Sequence, residues 1–267
     1  MEEIILSRAE FLVLLDALGA SAVVGIDSRE LFPASIDEHR RMVEQGQRML
    51  QERGLLEISP DGVRVLDQLL AMIAAVVARP EIALINVRDT PGVGRQLFLH
   101  YQSGEYVVEQ TFPAEGQHRL ATLPDLAALF DRLLAIFPVQ DEPAPEAAAE
   151  LPQEEFLAAK DHAESGRAAE ALAILAGHGL AGEDAAALVD AMAEPVFSGT
   201  IALLRCAGEQ VVDARNPAIV QGRRAGWSIA QAVPGEPRFR VTRVDAARLR
   251  AQLAGWFDEL RRSPEGA

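Results

Sequence analysis

Residues 82–123, IALINVRDTPGVGRQLFLHYQSGEYVVEQTFPAEGQHRLATL, decide the fold. Four runs rich in β-branched, aromatic and aliphatic residues, Ile82 to Arg88, Gln96 to Gln102, Tyr106 to Phe112 and His118 to Thr122, are separated by Pro91-Gly92, Ser103-Gly104 and Glu115-Gly116. Strand-length runs joined by turn dipeptides predict an antiparallel meander. Within Gln96 to Gln102, Leu97, Leu99 and Tyr101 share one face against Phe98 and His100, so both faces carry apolar groups.

Helical periodicity flanks this meander. Upstream, Arg8 to Leu18 forms an amphipathic helix. Ile36 to Arg53 forms a second that stops at Gly54, and Val63 to Ala78 a third that ends before Pro80. Downstream, Asp125 to Phe137 places Leu126, Leu129, Leu133 and Phe137 on one stripe. The stretch from Pro138 to Glu155, PVQDEPAPEAAAELPQEE, has six acids and no basic residue and reads as a linker.

Beyond this linker the order of signals returns. Helical segments Glu155 to Ser165 and Ala168 to Leu175 lead to Gly177-His178-Gly179-Leu180, which echoes Arg53-Gly54-Leu55, and a helix Ala185 to Ala193 ends at Pro195. Ile201-Ala202-Leu203-Leu204 matches Ile82-Ala83-Leu84-Ile85, Gly222-Arg223 matches Gly94-Arg95, and Thr122, Asp125, Leu129, Leu133 and Phe137 match Thr242, Asp245, Leu249, Leu253 and Phe257. On these matches the hairpin Val211 to Val220 is nine residues longer than its first-half equivalent, an extension that reaches toward a partner or is an idle loop. The expected fold class is therefore α+β, a duplicated helix–meander–helix unit forming a quasi-twofold central antiparallel sheet with helices packed on one face. The halves are 1–137 and 156–262, joined by the acidic Pro/Ala linker 138–155.

Composition narrows the function. Forty acidic against 25 basic side chains give a formal charge of −15, which opposes nucleic acid and anionic membranes. Six units of that excess sit in residues 138–155 and five in the first 80, so the two halves are only mildly acidic. The longest apolar stretch, Leu69 to Ala78, is about half of what a bilayer requires. No basic leader precedes the first helix, and the one cysteine, Cys206, has no intramolecular disulfide partner. These features predict a cytoplasmic protein without membrane insertion.

Catalytic patterns are missing. The histidines, His39, His100, His118, His162 and His178, form no metal-binding spacing, and no serine sits in a G-x-S-x-G elbow. Pro91-Gly92-Val93-Gly94-Arg95 precedes a strand, where phosphate binding would want a helix. Cys206 lies beside Arg205, a setting that lowers a thiol pKa, against the plainer reading of an inert half-buried thiol. Residues 36–65 also allow a winged helix with a hairpin wing, hence a DNA-binding regulator with a C-terminal sensing half. The helix Asp37 to Arg53, however, balances four acids against four arginines. An enzyme holding an acidic substrate on Arg95 or Arg223 is a third reading.

Glu10 and Leu14-Leu15 in the opening helix, Pro33, Leu50-x-x-Arg53-Gly54-Leu55, the Asp61-Gly62 turn, the helix before Pro80, the strand pairs, the acidic linker and Gly222-Arg223 together resemble the EspG family of ESX (type VII) secretion-associated proteins. The resemblance spans essentially the whole chain. It implies a cytosolic, non-enzymatic chaperone or adaptor without cofactor; the expected state is a monomer or weak homodimer. Its partner would be the exposed apolar helical tip of a PE/PPE-type secretion substrate, met by the sheet face and the second-half helices. On that reading Leu97, Leu99 and Tyr101 in the first half, with Trp227 and Ile229 in the second, are the candidate partner-binding residues.

Overall fold

The computed structural model describes residues 2–59 and 62–262. In chain order its elements are β1 (Glu3–Ser7), α1 (Arg8–Ala17), α2 (Ser28–Leu31), α3 (Ile36–Glu52), β2 (Leu56–Ser59), β3 (Gly62–Val65), α4 (Gln68–Ala78), β4 (Ile82–Thr90), β5 (Gly94–Ser103), β6 (Tyr106–Thr111), β7 (Gln117–Leu123) and α5 (Leu126–Ile136). There follow β8 (Ala148–Pro152), α6 (Gln153–Glu164), α7 (Ala168–Gly177), α8 (Gly182–Ala193), β9 (Phe197–Ala207), β10 (Gln210–Arg215), β11 (Ala218–Gln221), β12 (Gly226–Gln231), β13 (Arg238–Val244) and α9 (Ala246–Arg262). Eleven strands hydrogen bond in the order β1-β7-β6-β5-β4-β9-β11-β12-β13-β8, with β10 beside β9; β2 and β3 form a separate hairpin.

The α+β class and the antiparallel meander are as expected, and the strand order carries the repetition. Outward from β4 it runs through hairpin and meander to the strand just before α1. Outward from β9 it runs the same way to the strand just before α6. Those outermost strands, β1 and β8, were not anticipated. β8 lies inside the expected linker, where Ala149 and Leu151 are buried and Glu150 is exposed, and it pairs in register with β13. The prolines that suggested a linker stand at or before the ends of this strand, where no ladder N–H is needed.

Two further corrections concern register and helix start. Gly222-Arg223 lies in the turn between β11 and β12, whereas Gly94-Arg95 opens β5, so the two pairs are not equivalent. Topologically β10 and β11 together replace β5, and β12 replaces β6, whose first residues Gly226 and Tyr106 are 120 positions apart. The longer hairpin expected at Val211 to Val220 lies in β10 and β11, joined through Asn216 and Pro217. Residues 63–65, expected in a helix, lie in β3; α4 starts where Asp67 accepts the Leu70 N–H at 3.0 Å. Asp61, of the expected Asp61-Gly62 turn, lies outside the described residues.

By contact the chain divides into two compact units. The first is Met1–Ile85, Leu97–Leu129 and Leu204–Asp213, and the second is Asn86–Gln96, Phe130–Leu203 and Ala214–Ala267. Each unit thus includes a hairpin tip from the other half of the sequence.

In the first unit, α1, α3 and α4 cover one sheet face, burying Phe11, Leu14, Leu50, Ile73 and Val77 with Leu99, Tyr101, Val108 and Leu120. The α1 start is a capping box. Ser7 Oγ accepts the Glu10 N–H at 3.3 Å, and the Ser7 N–H donates to Glu10 Oε2 at 2.8 Å. Glu10 is buried, and its other oxygen accepts from Arg53 Nη1 at 2.6 Å. Arg53 is the C-cap of α3 and is followed by Gly54 at φ +69°, the left-handed conformation that favours glycine. The opposite sheet face carries a polar row. Arg119 pairs with Glu3 and lies 3.6 Å from Glu109, whose other oxygen is 3.2 Å from His100.

In the second unit, α6, α7 and α8 cover β12, β13 and β8 over Trp227, Ile229, Val241, Leu151 and Leu188. The other face of this unit is covered as well. Phe137, just after α5, lies where a side chain on Gly199 would meet it, and Phe130 meets Phe257 of α9 edge-on at 5.9 Å. Asp245 caps α9 by accepting the Arg248 N–H at 2.8 Å, as Asp125 accepts the Ala128 N–H at 2.8 Å before α5. It also accepts the Ala144 N–H at 2.9 Å, anchoring the Pro/Ala stretch to the unit. These backbone donors, Ala144 first, hold its carboxyl below the usual carboxylate range.

Candidate functional site

The residues nominated from the sequence belong to the core. Leu99 and Tyr101 are 0% and 1% exposed in the first unit, where Leu97 packs half-buried against the same cluster, and Trp227 and Ile229 are 0% and 5% exposed in the second. The Tyr101 hydroxyl donates to Val24 O at 2.9 Å, which ties the strand to the loop before α2. A partner side chain therefore cannot reach these four. Their strands alternate as expected, but the chain's own helices cover the face they line.

Exposed apolar side chains on strands and turns, such as Ile5, Val93, Tyr106 and Val211, are scattered, whereas α7 presents a run of exposed apolar residues along one helix. α7 reads AAEALAILAG and has one charged residue, Glu170. Its Ala171 and Leu175 are buried against α6 and α8, while Ala169, Ala173 and Ala176, spaced four and three residues apart, face outward and are exposed. A helix with apolar residues on every side is normally buried all round. On α6, Leu157 adds a side chain that is 45% exposed. Small side chains let another helix approach closely, and uncharged surface costs little to desolvate. The sequence signal for this face is the near absence of charge in Ala168–Gly177, which has one acid and no basic residue.

The joint beneath this face is polar. His178, the C-cap of α7, places Nε2 2.7 Å from Oε2 of Glu155 on α6. Asp184, in the first turn of α8, pairs with Arg243 of β13 at 2.6 Å. On the unit's opposite sheet face, a cleft of about 200 Å³ lies between α9 and β12–β13, lined by Ser228, Thr242, Arg215, Arg240, Gln252 and Trp256. Arg240 is held by Glu150 at 2.8 Å, and Arg215 lies 3.8 Å from Glu259, so the arginines of this cleft meet acids of the same unit.

The remaining chemical candidates resolve into structural groups. Arg95 is exposed, and Arg223 is paired with Glu194 at 2.9 Å on the surface. Burial pushes the Cys206 thiol up, away from the thiolate that reactivity needs, and outweighs the lowering by a backbone hydrogen bond from Ala83. In α3, Arg53 is committed to Glu10, and Arg41 donates to the Asp37 carbonyl at 3.2 Å. Among the described residues no group of three or more His, Cys, Asp or Glu is arranged to hold a metal ion, and no helix is long and apolar enough to cross a membrane.

His118 has a lowered pKa, and its surroundings show why. It lies against Phe11 with centroids 4.6 Å apart and Phe112 at 5.6 Å, and its Nδ1 is 2.8 Å from Gln110 Nε2. Burial first, then the charge of Arg8, lowers its pKa to about 4. Because the unfolded ring titrates near 6.5, the unfolded state binds the extra proton between pH 6.5 and 4. Stability tied to His118 is thus fully present above pH 6.5 and falls on acidification, by roughly 2 kcal/mol at pH 4.5. Denaturant melts at pH 7 and 4.5 are expected to differ less for His118→Gln than for the parent by this amount; equal differences would contradict it.

The EspG family model matches residues 7–255. By structure the chain is similar to the Mycobacterium tuberculosis type VII secretion system chaperone EspG5, solved in complex with a PE25–PPE41 dimer. The TM-score is 0.69 at 17% identity, covering 100% of this chain and 98% of that one. No curated protein matches the chain by sequence. With helix caps, central meander and second-half helices all inside the matched span, the chain belongs to the EspG family.

Proposed function

We propose that this protein is a cytoplasmic, non-catalytic chaperone of type VII secretion that binds an apolar helical segment of a PE/PPE-type client and keeps it soluble for export. One observation carries the reading: the outward row Ala169, Ala173 and Ala176 of α7, with no charge among them, is exposed apolar surface on a family member. EspG5, which shares the fold, was solved with a PE–PPE dimer bound. A helix laid into an apolar surface gains by burying its own apolar stripe, and its specificity follows from which side chains seat there.

The test is calorimetric titration of the purified chain with co-expressed PE–PPE dimers from its own source organism, and with PE25–PPE41. Formation of a stoichiometric complex with one of them is expected. Ala173→Glu places a charge in the proposed contact and is expected to weaken binding about thirtyfold, roughly 2 kcal/mol. The position is exposed and glutamate is a good helix former, so the melting temperature should stay within about 2 °C. Absence of any complex, or undiminished binding by the variant, would overturn the reading.

A further inference from the structure

We propose that the Glu155–His178 pair positions the client-binding surface by holding α6 and α7 at the angle a helical client meets; this rests on the chaperone reading. The same joint occurs in both units. Glu10 is the third residue of α1 and reaches Arg53, the C-cap of α3, at 2.6 Å; Gly54 follows at φ +69°. Glu155 is the third residue of α6 and reaches His178, the C-cap of α7, at 2.7 Å; Gly179 follows at φ +85°. Each time a first-turn carboxylate binds the residue that closes another helix.

The joints differ in environment. The Glu10 side chain is 4% exposed, and it also accepts from Ser7, so its loss strands core hydrogen bonds. Side-chain exposure is 46% for Glu155 and 23% for His178, and a polar pair that open to water adds little to stability. What it can supply is orientation. Much of what α6 and α7 bury is small, Ala159, Ala163 and Ala171 beside Phe156 and Leu175, and shallow alanine ridges constrain a crossing angle weakly. The pair clamps the first turn of α6 to the C-cap of α7, two residues beyond Ala176 of the exposed Ala169–Ala173–Ala176 row.

Titration with the PE–PPE dimer that binds the parent tests the proposal. His178→Leu is expected to weaken binding about tenfold, because the client must then order the loosened surface. His178→Arg, which installs the cation of the first-unit joint, should stay within about twofold. Arg53→Leu should lower the melting temperature while leaving the affinity of the folded protein within about twofold, separating positioning from general stability. A second measurement needs no client. Spin labels at positions 157 and 173, with Cys206 replaced by serine, should give a narrow distance distribution in the parent and in His178→Arg and a broad one in His178→Leu. His178→Leu binding within twofold of the parent, or a distance distribution it leaves unchanged, would overturn the proposal. If no dimer binds the parent, the chaperone reading fails while the distance measurement still decides the pair.

Discussion

Trp227→Ala is expected to destabilise the protein by about 4 kcal/mol, seen as a lower denaturant midpoint. Trp227 has no exposed surface and lies in the cluster beneath α6, α7 and α8, beside Ile229, Val241 and Leu151. Trp227 sits between Val220 of β11 and Arg243 of β13 in the sheet ladder, so collapse of the backbone into the space left by the indole is limited. Trp227→Phe should cost much less, about 1 kcal/mol, since it keeps a ring and removes an indole N–H that is buried without a partner. Client binding should fall only as the folded fraction falls. A Trp227→Ala variant with an unchanged midpoint and no client binding would return Trp227 to the contact surface.

Gly46→Ala is expected to cost about 3 kcal/mol, although it replaces a glycine in the middle of a 17-residue helix. Helix propensity alone predicts the opposite, a gain of roughly 1 kcal/mol. A Cβ at Gly46 would lie 2.2 Å from the Ala9 carbonyl oxygen, 2.5 Å from its carbon and 2.9 Å from Val13 Cγ2. The first two are backbone atoms of α1, and α1 is held by its capping box and by the Glu10–Arg53 pair, so α3 must move away from it. Gly255 in α9 supplies the control. Nothing lies within 4 Å of its Cβ position, and Gly255→Ala should raise stability by roughly 1 kcal/mol. Thermal melts of the two variants are expected to shift in opposite directions; a stabilised Gly46→Ala would contradict the close approach of α1 and α3.

The candidate surface shows how far burial can mislead from sequence. Leu97, Leu99 and Tyr101 have the alternation of a half-exposed strand, and Trp227 and Ile229 the same pattern, yet helices distant in sequence cover their face. The alanine-rich α7 has no alternation to notice and leaves its outward face exposed. Exposure depends on what lies opposite, and periodicity reports only which side chains point the same way.

Turn dipeptides, helix caps and alternation act within a few residues, and they were enough for the meander, its flanking helices, and the internal repetition visible in Asp125 and Asp245 or in Gly54 and Gly179. The residues that looked like a family signature, Glu10 and Arg53, are 43 positions apart, and their purpose became clear only when α1 and α3 came together. The edge strands β1 and β8 are five residues each, too short to stand out from their surroundings, and take their conformation from the ladders of β7 and β13. The same holds for the hairpin tips that join the unit formed mainly by the other half, for Gly46 against Gly255, and for the bare face of α7. In each case the deciding energy is a contact between segments far apart in the chain, and no local pattern of residues encodes which segment will be there.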